Sequence, residues 1–229
     1  MGGVNVKNTM IERVLQIIAP HPCSGCGKMG TILCDDCKYD IINEPFYGCI
    51  LCGRPKESGI CAEHAAPFAR AFTVSTRADA LEDAINRLKF RNTKHAARAM
   101  AELLDWHLPQ LPAEVQIIPL PTARSHMRQR GYDQVELIAH HLAALRNIPV
   151  KKALVRKTNT TQHTVGRSER AVQASEAFIL NNSVQHTPGT VVLLDDVVTT
   201  GASLAAAATV LKEAGYTIWV ATLAYQPLD

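Results

Sequence analysis

The sequence predicts an α/β fold, a mostly parallel sheet with flanking helices, preceded by a small cysteine-rich module. Three observations carry this reading. From about residue 70 onward, short apolar runs alternate with segments whose apolar residues recur at helical spacing. All seven cysteines fall between Cys23 and Cys61. One apolar run, VVLLDD at residues 191–196, ends in two carboxylates and passes through a Thr-Thr-Gly turn into an alanine-rich segment.

The elements follow in order. Met10, Ile11, Val14, Leu15, Ile17 and Ile18 share one helical face that stops at Pro20. Beyond the cysteines, residues 72–75 read as a strand. Leu81, Ile85 and Leu88 mark one amphipathic helix, and Met100, Leu103 and Leu104 a second. A strand is expected over residues 115–120, and a helix over 132–145 with Val135, Ile138, Ala139, Leu142 and Leu145 inward. After the Asn147-Ile148-Pro149 break comes a short strand at 150–155, then a polar loop over 158–168. Residues 190–194 form a buried strand, 202–214 a helix closed by Gly215, and 217–224 a last strand. A length of 229 residues suits one sizeable core with an accessory module, here divided as residues 1–66 and 67–229.

Composition narrows the class. With 47% apolar and 20% charged residues the chain has material for a packed core and is no candidate for global disorder. A net charge of +3 is too small to mark a nucleic-acid or membrane binder unless the charge is clustered. No run approaches the roughly 18 apolar residues of a membrane span. The opening MGGVNVKNTM lacks the pattern of an export signal, so a cytoplasmic location is expected.

The cysteines sit as Cys23-x2-Cys26, Cys34-x2-Cys37 and Cys49-x2-Cys52, followed by Cys61-x2-His64. A two-residue gap lets a tight turn aim two soft ligands at one tetrahedral ion, so eight such ligands imply two structural Zn2+ sites. An odd number of cysteines in a reducing compartment speaks against a disulfide framework. Sequential pairing puts Cys23, Cys26, Cys34 and Cys37 on one ion and Cys49, Cys52, Cys61 and His64 on the other; an interleaved pairing is the alternative. His21 is read as lying outside the ligand set.

In VVLLDDVVTTGAS, Asp195 and Asp196 precede a turn that opens a helix. At the carboxyl end of a parallel strand, the N–H groups of such a turn and of the following helix favour an anion. Val198, Thr199, Thr200, Gly201, Ala202 and Ser203 therefore read as a phosphate loop, with hydroxyls as added donors and Gly201 allowing close backbone approach. No GxxxxGK[ST] motif is present, which excludes an NTPase P-loop. Two carboxylates would repel a phosphate they touched, so Asp195 and Asp196 suit sugar hydroxyls or the hydration shell of Mg2+. A phosphorylated ribose satisfies both halves.

This thirteen-residue stretch resembles the signature that binds 5-phosphoribosyl 1-diphosphate (PRPP) in type I phosphoribosyltransferases, and the whole chain resembles the ComF family. The likeness runs through the cysteine module, LKF at 88–90, PLP at 119–121, RQRGYDQ at 128–134, LVRKTNTTQ at 154–162 and ERAVQASEAF at 169–178. Asp133 and Gln173 stand where the family usually has Asn, and Val165 where Leu is common.

The resemblance implies a type I phosphoribosyltransferase fold, PRPP binding with Mg2+, and transfer of the phosphoribosyl group to an acceptor that cannot be named from sequence. It implies that Asp195, Asp196 and Arg130 act at the reacting centre. Lys89, Pro121, Thr122, Arg128 and Arg130 would meet the pyrophosphate side, in a basic loop over 121–131 that also carries Arg124 and His126. Gln162, Arg167 and Arg170 would lie on a mobile segment closing over the site. The family acts in natural transformation, so incoming single-stranded DNA and recombination or helicase proteins are the implied partners. Lys151, Lys152, Arg156, Lys157, Arg167 and Arg170 offer modest positive charge for such contacts; aromatics, at 5%, offer no evident stacking platform. A non-catalytic adaptor that uses its zinc module to dock DNA or protein is the alternative.

Overall fold

Along residues 191–194 successive side chains enter two different cores, and that alternation organises the molecule. Val192 and Leu194 pack with Val74, Ile117, Ala221 and Leu223 on one face. Val191 and Leu193 pack with Ile118, Leu120, Ile218 and Val220 on the other. This is the pattern of a parallel sheet covered on both sides.

The computed structural model describes residues 21–157 and 177–227. The expected helix over residues 10–18 and the segment carrying Gln162, Arg167 and Arg170 lie outside the described residues. Within them the order is α1 (Asp35–Asn43), β1 (Arg70–Thr76), α2 (Asp79–Phe90), α3 (Ala96–His107), β2 (Gln116–Pro119), α4 (Arg124–Arg130), α5 (Gln134–Arg146), β3 (Leu154–Arg156), β4 (Phe178–Leu180), β5 (Thr190–Val198), α6 (Ala202–Glu213) and β6 (Thr217–Tyr225). Four strands form a parallel sheet in the order β1-β6-β5-β2, and β3 pairs with β4 antiparallel.

Helices α2, α3 and α5 cover one face through Leu81, Ile85 and Leu88, Met100, Leu103 and Leu104, and Val135, Ile138, Ala139 and Leu142. Helix α6 covers the other through Leu204, Ala207, Ala208 and Leu211. Its alanines let it lie close to the strands. Arg146, at the end of α5, fastens this helix to the end of α3: Nε is 2.7 Å from Asp105 Oδ1, and the guanidinium also donates to the carbonyls of Leu108 and Pro109. The α/β architecture with an N-terminal cysteine module is therefore the one the sequence predicts.

Four details differ from the sequence reading. Leu145 is exposed, because α5 has turned it off the buried stripe. The strand expected over 150–155 is reduced to a single parallel bridge, Val150 to Ile117, followed by the short β3. Strand β5 runs on to Val198, since the ladder to β6 continues through Asp195↔Thr222, Val197↔Ala224 and Val198↔Tyr225. Residues 124–130, expected as loop, form helix α4, which buries no residue and ends at Gly131 with φ 77.

The cysteine module is keyed to the sheet. Lys38 of α1 is buried and its ammonium meets both Asp35 and Glu102 at 2.7 Å, tying α1 to α3. Arg87 of α2 donates to the Pro22 carbonyl at 2.8 Å.

Candidate active site and metal centres

The carboxyl ends of β2 and β5 are neighbours, with Pro119 opposite Leu194 and the Leu120 N–H donating to the Leu194 carbonyl at 2.8 Å. From β5 the chain crosses by α6 to β6 on one side. From β2 it leaves through α4 and α5 to Val150, which lies on the other side of β2. The two connections diverge, and the crevice between them is the position where ligands enter open α/β sheets.

Asp195 and Asp196 stand at this crevice. Asp196 is buried and doubly held: Lys89 Nζ lies 2.8 Å from Oδ1 and Gln134 Nε2 donates to Oδ2 at 3.0 Å. Asp195 accepts the Asp196 backbone N–H at 2.8 Å. Burial, and then the neighbouring Asp196 charge, push the Asp195 carboxyl up to about 8, against opposing help from that N–H and from Lys89. Asp196 is thus ion-paired within the protein, whereas burial and that neighbouring charge favour the neutral form of Asp195.

The LKF and RQRGYDQ segments meet beside this pair. Tyr132 donates its hydroxyl to the Leu88 carbonyl. The Arg130 guanidinium lies over the Phe90 ring, 5.4 Å from its centroid, and Lys94 lies 5.1 Å over Tyr132. Arg130 Nε and Nη1 are covered yet have no hydrogen-bond partner among the described residues, so the side chain holds donors in reserve. Asp133 caps α5: Oδ1 accepts from the N–H of Val135 at 3.0 Å and of Glu136 at 3.2 Å, and also from Thr122 Oγ1 at 2.9 Å. Its Oδ2 accepts the Thr122 N–H. The carboxylate in place of the usual amide therefore works as a four-fold acceptor, fixing the turn after β2.

After Val198, Thr199 and Thr200 are exposed and the Ala202 N–H donates to Thr200 Oγ1 at 3.3 Å. Gly201 occupies the cap position of α6 at φ 68, where a side chain would be strained, and supplies no side-chain cap. Residues 195 and 197–204 line a small cavity of about 70 Å3. The structure thus brings Lys89 and Gln134 to Asp196, and lines the small cavity with Asp195 and the turn through Ser203, while Thr122 is held by Asp133 and Arg130 lies over Phe90. Arg128 and Arg124 are exposed on α4. Gln134 was not among the residues singled out from sequence, although it closes the RQRGYDQ motif; its role depends on a partner 62 positions away.

The cysteines form two groups with the sequential pairing: Cys23, Cys26, Cys34 and Cys37 in one, Cys49, Cys52, Cys61 and His64 in the other, ligand atoms within 4.8 Å of one another. Sulfurs bound tetrahedrally at zinc-thiolate length stand about 3.8 Å apart. Cys23–Cys34 at 3.8 Å, Cys26–Cys34 at 3.7 Å and Cys52–Cys61 at 3.8 Å match that edge, as does Cys49 Sγ to His64 Nδ1 at 3.8 Å. Cys61 Sγ to His64 Nδ1, at 2.8 Å, is a hydrogen-bond distance. Both donor sets suit Zn2+ with every position filled by protein, the arrangement of a structural site. His21 lies outside both groups, its ring tilted by 34° against that of His95 with centroids 4.4 Å apart.

No family model matches the chain. It is 28% identical over 197 residues to competence protein F of Haemophilus influenzae, an overlap of 80% of this chain and 85% of that protein. With competence protein ComFC of Bacillus subtilis it shares 25% over 195 residues, covering 80% and 79%. With the DNA utilization protein YhgH of Salmonella typhimurium it shares 30% over 182 residues, covering 73% and 78%. The chain belongs to the ComF family. Among solved structures, this ComF chain overlaps adenine phosphoribosyltransferase of Leishmania tarentolae with a TM-score of 0.39 at 15% identity, covering 61% of it and 75% of that enzyme. It overlaps the glutamine PRPP amidotransferase of B. subtilis with a TM-score of 0.39 at 18% identity, covering 57% of it and 26% of that chain. Among the described residues, no helix of this ComF chain is long and apolar enough to cross a membrane.

Proposed function

We propose that this chain couples a zinc module, residues 1–66, to a PRPP-binding phosphoribosyltransferase-like domain, residues 67–229, and serves in handling incoming single-stranded DNA. The observation that carries the PRPP half is the Asp195–Asp196 pair at the diverging ends of β2 and β5, with Lys89 and Gln134 on Asp196 and an uncapped helix start directly downstream. The DNA half follows from the relatives, which are named for competence and DNA utilization.

In this reading Thr199, Thr200 and Ser203, with the N–H groups of the turn and of α6, hold the 5-phosphate. Asp195 and Asp196 accept from the ribose hydroxyls, which fixes the sugar relative to the leaving group. Arg130, with its unpaired donors, and Arg128 receive the pyrophosphate; a planar guanidinium suits two phosphate oxygens at once. Thr122, held by Asp133, keeps the turn after β2 open to it. Asp195 and Asp196 would also face the hydration shell of a bound Mg2+, whose chemistry there would be to offset charge on the pyrophosphate. Transfer to an acceptor is the reaction such a site supports.

Calorimetric titration of PRPP, with and without Mg2+, into wild type and an Asp195→Asn/Asp196→Asn variant tests this. Mg2+-dependent binding that the variant loses supports the site. Silence in the wild type overturns it and leaves the adaptor reading, in which the zinc module docks DNA or protein and the crevice is unused.

A further inference from the structure

The second metal group is joined to the phosphate turn by one side chain. Ile50 and Leu51 lie between the ligands Cys49 and Cys52. A Cβ built on Gly201 would stand 2.3 Å from Leu51 Cδ2 and 3.5 Å from the Ile50 carbonyl oxygen, so the leucine methyl rests against the bare α-carbon at the cap of α6. Ile50 is fully buried in the core that holds Val198 and Leu204, the residues flanking the turn, and Leu51 packs against that core. A second contact supports the first: Gly53, just past the knuckle, abuts the Tyr225 hydroxyl at 2.8 Å from a built Cβ. Tyr225 is the register partner of Val198, and the adjacent Gln226 N–H donates to the Val198 carbonyl at 2.8 Å.

We infer that Leu51 is a positioning residue for the phosphate turn, and that metal held by Cys49, Cys52, Cys61 and His64 sets the conformation of residues 199–204 through it. The physical reason is local. The Thr199–Ser203 turn faces solvent on its outer side, and at Gly201 its inner support comes from the knuckle tip. Two ligands of one ion bracket that tip, so the ion fixes where the leucine stands. Mobile donors lose more entropy on binding an anion than fixed ones, so a loosened turn binds phosphate more weakly. The phosphate half of this inference rests on the proposed PRPP reading; the coupling of knuckle to turn does not.

The test uses full-length zinc-loaded protein with Leu51→Ala and Leu51→Met, and wild type treated with a zinc chelator. Amide hydrogen exchange across residues 199–204 is read without ligand, alongside bound zinc and exchange in the remote α3. Ribose 5-phosphate and Mg2+-pyrophosphate are then titrated separately. Expected is faster exchange at 199–204 in Leu51→Ala and after chelation, with two zinc ions retained and α3 unchanged in the variant, and recovery in Leu51→Met. Ribose 5-phosphate affinity should fall roughly tenfold in Leu51→Ala while pyrophosphate affinity holds. Unchanged exchange in Leu51→Ala, or loss spread equally over α3 and both ligands, overturns the inference. If exchange responds but wild type binds neither ligand, the coupling stands and the PRPP reading fails.

Discussion

Lys89 Nζ and Asp196 Oδ1, 107 positions apart in sequence, meet at 2.8 Å with side chains only 15% and 7% exposed. A pair so covered is asymmetric: losing one partner strands the other in a poor solvent. Lys89→Met should therefore cost about 3 kcal/mol by denaturant titration at pH 7. A Lys89→Met variant as stable as wild type would mean the lysine contributes by its stem alone.

Asp195 provides a pH signature. Its native value of about 8 lies above the ordinary 3.8, so the folded chain binds this proton more tightly than the unfolded one. The stability gained is complete below the unfolded value and is lost as pH rises through 8. Thermal melts should show wild type losing ground to Asp195→Asn between about pH 5 and pH 8.5. Mg2+-dependent PRPP affinity should run the opposite way, strengthening with pH as the carboxyl ionises.

Substitutions at Asp133 should form a graded series. Asp133→Ala removes the cap of α5 and both contacts to Thr122, for a loss of about 1–2 kcal/mol. Asp133→Asn keeps one acceptor oxygen for the cap but loses the acceptor for one Thr122 contact, and should cost less than half as much in stability. If the turn after β2 serves the site, both should weaken PRPP binding more than they weaken the fold, which paired calorimetry and denaturation will reveal.

Elemental analysis should find two zinc ions per chain, one for each ligand group. Cys26→Ser and Cys61→Ser should each reduce that to one and lower the melting temperature, because filled tetrahedral sites contribute folding energy. Loss of both ions from a single substitution would show that the two sites form as one unit.

What could be read in advance followed the range of the physics involved. Cys-x2-Cys spacing is a local property, so all eight ligands were legible, but their partition depends on tertiary contacts and needed the fold. The apolar run stops at Leu194 and so marks no strand beyond it; Lys89 and Gln134 on Asp196 and the ladder to β6 carry β5 on to Val198. The 124–130 segment has no apolar periodicity and α4 buries no whole residue, so the helix left no trace in the pattern; Gly131, at φ 77, marks where it stops. Gln134 could have been found only by asking what the RQRGYDQ motif faces.

Cys23, Ile32, Leu33 and Cys37 belong to the same apolar cluster as Leu81, Ala97 and Leu104, while Ile50 belongs with Phe68, Ala71 and Leu204 on the opposite face. The module therefore lends residues to both cores instead of hanging from one end. A chain started at residue 67 would lack those pieces and leave Leu81, Leu104, Ala71 and Leu204 short of part of their cover, however intact its crevice. Loss of the module would open both faces of the sheet to water at once.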